Sequence, residues 1–143
     1  MTANTSPNFT TVPPHNGYQT FVNGDSTTAK NLFVAGANGS QIHAINATTS
    51  DTVADTIQLF QNNGTSYLID TVQIPASSGN LAAAHPSATP PINLLSGDIA
   101  SYKILNSTQR VIQLGANETL QGGMTTAVTS GKTATIVIYG EDF

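Results

Sequence analysis

IHAINATTSDTVADTIQLFQNNGTSYLIDTVQIP, residues 42–75, decides the fold class. It holds three apolar runs, Ile42–Ala47, Thr56–Gln61 and Tyr67–Ile74, separated by two polar turns. Each run is too short for a stable helix and rich in branched residues, which is the pattern of strands joined by turns. In the third run Leu68, Val72 and Ile74 share one face by period two, with Tyr67, Thr71 and Gln73 on the other, so one face is expected to be buried and one wet. The first run is less regular. Ile42 and Ile45 cannot share a face of a regular strand, so either a bulge separates them or both faces are partly covered. Pro75 ends the third run.

Upstream, YQTFV (18–22) and KNLFVAG (30–36) flank the turn signal NGD and predict a hairpin, and GANGS (36–40) predicts a tight reversal. Residues 1–17 carry Pro7, Pro13 and Pro14 among Asn and Thr and predict an extended N-terminal arm ahead of a single domain, 18–143. Downstream, a long connector at 76–108 is interrupted by Pro86, Pro90 and Pro91, with at most one helical turn around Ile92–Ser96. Strands resume with RVIQL (110–114), ETLQGGMTTAV (118–128) and TATIVIYG (133–140). The last alternates Ala134, Ile136 and Ile138 with Thr135, Val137 and Tyr139, which predicts a central strand covered on both faces. About eight strands and no convincing helix give an all-β protein, an antiparallel two-sheet sandwich or a barrel, with about four strands per sheet in the sandwich.

Only 8% of the 143 residues are charged, against roughly 25% in an ordinary domain. The net charge is −4 and no cluster of Lys or Arg exists to neutralise phosphates, which argues against nucleic acid as a partner. No stretch approaches a membrane span, and the N-terminus has neither the positive segment nor the apolar run of a cleaved export signal. The absence of Cys excludes disulfides and thiolate chemistry.

Motifs for chemistry fail on spacing. SGKT (130–133) resembles the end of a phosphate-binding loop, but the required first glycine is Thr126 and a β-branched run follows where a helix should start. His15, His43 and His85 have no His, Asp or Glu at short ligand spacing, so no metal or other cofactor is expected; His15 and His85 read as loop residues beside prolines, and His43 as a strand residue. Asp51 and Asp55 flank a turn, where side-chain to backbone hydrogen bonding explains them without acid–base work. The expectation is a protein that is not an enzyme. A surface of Thr, Asn, Gln and Ser is cheaper to desolvate than a charged one and suits protein contact.

Three segments carry a family likeness: DSTTAK through IPASSG (25–79), INLL (92–95) and the ending TAVTSGKTATIVIYGEDF (126–143). As an ordered set, with TTAK, AGANGS and the terminal GEDF, they resemble the small decoration, or cement, proteins of tailed-bacteriophage capsids. The resemblance implies a jelly-roll-like β-sandwich made in the bacterial cytoplasm. It would reside on the outer surface of the virion, bind the major capsid protein and bridge capsomers. Uncovered sheet edges in a low-charge protein predict a homo-oligomer, dimer or trimer. Candidate contacts are Phe9, Val12, Pro13 and Pro14 in the arm and His85, Leu94 and Leu95 in the connector. The rival is a jelly-roll module binding carbohydrate or a host surface; against it, the chain has no Trp and only four Tyr.

Overall fold

The computed structural model describes residues 14–79, 92–93, 103–104 and 110–143. Eight strands of five to ten residues build it: β1 (Pro14–Val22), β2 (Lys30–Val34), β3 (Ser40–Thr49), β4 (Asp55–Asn62), β5 (Ser66–Ile74), β8 (Arg110–Leu114), β9 (Thr119–Met124) and β10 (Thr133–Asp142). Two strands of two residues, β6 (Ile92–Asn93) and β7 (Lys103–Ile104), complete the set. One sheet runs β1-β10-β3-β8-β7, with β6 also pairing β3, and the other runs β2-β9-β4-β5. All pairings are antiparallel. Counting only the eight longer strands, the orders are 1-8-3-6 and 2-7-4-5, which is the jelly roll.

The core lies between the sheets. Phe21, Ile45, Ile57, Leu59, Leu120 and Ile136 are all fully buried there. β10 is central in its sheet, between β1 and β3, as its sequence predicts. Its second face is not covered by the described residues, however: Ala134, Ile136 and Ile138 are buried, whereas Thr135 and Val137 are half-buried and Tyr139 is exposed. Alternating apolar residues on both faces therefore mark an inner face and an open outer one.

The irregular first run contains the bulge. Tyr139 lies opposite Ala44 and Gly140 opposite Ile42, so His43 is the extra residue, and Ile42 and Ile45 both reach the core. A second bulge corrects the reading of the third run. Leu59 faces Asp70 while Phe60 faces Leu68, leaving Ile69 as the extra residue; Ile69 packs on the core and Leu68 is turned out, 54% exposed. One inserted residue exchanges the faces of everything before it.

YQTFV and KNLFVAG do not form a hairpin. β1 pairs with β10 and β2 with β9, in opposite sheets. The NGD turn is a single 3-10 turn, followed by Ser26 at φ 52°, that carries the chain across the sandwich. The Asp25 carboxylate holds the crossing: it accepts the Val22 N–H at 2.8 Å and pairs with Lys30 at 2.6 Å. Both contacts, the Lys30 bond first, keep its pKa below the ordinary carboxylate range. Residues 14–17, placed in the arm from sequence, belong to β1 and pair with 138–141; residues 1–13 lie outside the described residues. In place of a helical turn, Ile92–Asn93 pairs with Asn46–Ala47 as a strand.

Candidate functional site

Neutral side chains on the outer face of the second sheet hydrogen-bond to one another across all four strands. Gln121 on β9 donates its Nε2 to Asn31 Oδ1 on β2 at 2.9 Å, and its Oε1 accepts from Asn62 on β4 at 3.2 Å and Ser66 on β5 at 2.9 Å. Asn62 also bonds the Ser66 hydroxyl at 2.6 Å. This ladder is what takes the place of surface charge. It pairs amides and hydroxyls laterally and leaves a face that a partner can cover without stripping water from ions. Val34 and Leu68, 48% and 54% exposed, lie at its margins.

The outer face of the first sheet is more apolar. Tyr18 is 68% exposed and sits opposite Val137, with Tyr139 one pair further along β10 and Val22 at the end of β1. Thr20 and Thr135 pair beside them, then Thr48 on β3. Glu141 is the acid of this face and is matched by His43 at 3.1 Å.

Polar knots close the two ends of the sandwich. At one, the Asp142 carboxylate joins three strands: it accepts from the Ser40 hydroxyl and lies 2.8 Å from His15 Nδ1, while Ser40 Oγ accepts the Gly36 N–H at 2.9 Å. The His15 ring packs on Phe33, centroids 4.5 Å apart. These are the residue types of a nucleophilic triad in the wrong order. A triad needs imidazole between hydroxyl and carboxylate, whereas here the carboxylate is the bridge and the serine is fully buried. The arrangement is a clasp, and the His15 and Ser40 bonds hold the Asp142 pKa below the usual carboxylate range.

At the other end the Thr129 side chain, then the Thr129 N–H at 2.9 Å and the Val53 N–H at 3.2 Å, bond the Asp51 carboxylate, lowering its pKa and tying the β3–β4 turn to the segment before β10. Asp55 is buried beside it, with one bond from the Thr49 hydroxyl at 2.6 Å. Burial, followed by the nearby Asp51 charge against the Thr49 bond, raises its pKa above the ordinary 3.8. A raised carboxylate pKa means that ionised Asp55 opposes folding once the pH exceeds 3.8, and that this penalty vanishes as pH falls below it. Asp55→Asn keeps an acceptor for Thr49 and removes the charge. It should raise the melting temperature at pH 7, with the gain disappearing towards pH 3 in a calorimetric series.

Of the residues singled out from sequence, Phe9, Val12, Pro13, His85, Leu94 and Leu95 lie outside the described residues. Pro14 is exposed as the first residue of β1, opposite Glu141. His15, expected in a loop, is a strand residue in the clasp, and His43 occupies the β3 bulge. SGKT is a turn, with Gly131 at φ 77° and the Lys132 N–H on the Thr129 carbonyl. Among the described residues, no group of three or more His, Asp or Glu could hold a metal ion. Sequence reasoning missed the Tyr18–Tyr139 face. Its signal was Tyr18 standing out of phase with Phe21 on a strand whose inner face also carries Gly17 and Gln19.

No protein-family model matches the chain, and no curated protein matches it.

Proposed function

We propose that this protein is a structural component of a phage head, a decoration protein that binds the outer surface of the capsid through uncharged sheet faces and bridges neighbouring capsomers. The observation that carries the reading is the ladder Asn31–Gln121–Asn62–Ser66 and, on the opposite sheet, the exposed Tyr18, Val22 and Tyr139. Both broad faces of a jelly roll are dressed in groups that are cheap to bury. The resemblance of 25–79 and 126–143 to cement proteins supports the same reading. Many equivalent weak contacts on one particle sum to firm retention.

Neutral contacts set the test. Charged interfaces weaken as salt shortens the Debye length from about 10 Å at 0.1 M to about 3 Å at 1 M. Co-sedimentation of the purified protein with undecorated heads should therefore be saturable and change little between these salt concentrations. Binding lost at high salt would assign the contact to the few charges instead, and no binding would end the proposal.

Tyr18 and Tyr139 on one face favour a second reading, a glycan-binding module, since exposed aromatic rings stack on sugars. Saturable quenching of tyrosine fluorescence by a host-surface glycan, lost in Tyr139→Ser, would support that reading.

A further inference from the structure

Three lateral edges of the sandwich carry a feature that discourages further pairing. β2 has a bulge at Leu32 and a lysine, Lys30; β5 has the bulge at Ile69 and Asp70; β8 is followed by β7. β1 has none of these. Its nine residues keep unbroken register with β10 and include no Asp, Glu, Lys or Arg. A long, flat, uncharged edge is a template for another strand.

The hydrogen bonds show which part of that edge is open. Backbone groups of alternate residues in an antiparallel strand point to opposite sides. The Thr20 N–H is held by Gln19 Oε1 at 3.1 Å, its carbonyl by Lys30 Nζ at 2.9 Å, and the Val22 N–H by Asp25. Even-numbered residues therefore face away from β10, and Thr20 and Val22 have been served by the chain's own side chains. Pro14 has no N–H. Asn16 and Tyr18 keep both backbone groups open among the described residues, and Tyr18 is 68% exposed.

We infer that this edge pairs with the same edge of a second copy, antiparallel across a twofold axis through Gly17, with Asn16 of each chain opposite Tyr18 of the other. Four backbone hydrogen bonds form, two in each Asn16–Tyr18 pair. The next pair outward sets Pro14 against Thr20, a residue without a donor against one whose groups are already bonded, so the register is bounded on both sides. No like charges meet on β1, and the nearest charges are already matched within each copy, Lys30 by Asp25 and Glu141 by His43, so none opposes the approach. The Tyr18–Tyr139 face becomes continuous across the axis. The pairing does not depend on what the dimer binds; on a capsid it would suit positions of local twofold symmetry.

Sedimentation velocity of the full chain over a concentration series should give a dimer. Asn16→Pro removes an open donor without costing a bond to β10, and Tyr18→Lys sets two like charges beside the axis. Each should yield a monomer whose far-UV circular dichroism is unchanged. Because the chain has no Cys, mixing Asn16→Cys with Tyr18→Cys chains under oxidising conditions should form a cross-linked dimer that neither forms alone. A monomeric or trimeric wild type, or a dimer that survives Asn16→Pro, would overturn the inference.

Discussion

Ile136→Ala is expected to lower the unfolding free energy by about 4 kcal/mol, near the upper part of the range for emptying a well-packed core site. Ile136 is fully buried and lies on the central strand of its sheet, between Gln19 of β1 and Ala47 of β3. A central strand has little freedom to collapse into a cavity, because both its ladders hold it in place. The neighbouring Val137→Ala should cost less than about 1 kcal/mol, the size of a cross-strand pair, because Val137 faces outward opposite Tyr18. Urea denaturation of the two variants checks the phase of β10 directly: equal losses would mean that both faces are covered.

Gly17→Ala is expected to cost about 3 kcal/mol, at the high end for overpacking. A Cβ at this position would lie 2.2 Å from the Leu32 carbonyl oxygen and 3.4 Å from Phe33 Cδ2. The obstacle is backbone, which cannot swing aside as a side-chain tip can. To admit the methyl group β1 must separate from β2, loosening the corner where the two sheets approach most closely. Gly24→Ala, where the added atom meets nothing within 4 Å, should stay within about 0.5 kcal/mol of wild type. A Gly17→Ala protein as stable as Gly24→Ala would mean that the corner is looser than described.

The fold class was legible because strand periodicity and turn residues are local signals. Ile42 and Ile45, three apart, left either a bulge or partly covered faces open, and the pairing with β10 shows the bulge. Ile69 gave no such warning. Leu68 and Ile69 are both apolar, so period two could be started from either, and the bulge that decides between them appears only in the pairing with Leu59 and Phe60. The Tyr18–Val22 and Lys30–Val34 runs were read correctly as strands and wrongly as partners. Nothing in an alternating pattern says which sheet a strand joins, and although the Asp25 contacts to Val22 and Lys30 are local, an NGD turn reads the same whether it closes a hairpin or carries the chain across the sandwich. The same limit hid the His15–Asp142 clasp, which joins residues 127 positions apart.

The low charge of the chain has its counterpart in the cross-strand ladder through Gln121. Amides and hydroxyls that bond each other need no counterions, which makes the outer face of the second sheet cheap for a partner to cover, while the first sheet presents Tyr18, Val22 and Tyr139. Negative-stain microscopy of undecorated heads mixed with the purified protein tests whether that partner is a capsid. Discrete projections at symmetry-equivalent positions over the outer surface are the expected result, and smooth, unaltered heads at saturating protein would rule out decoration.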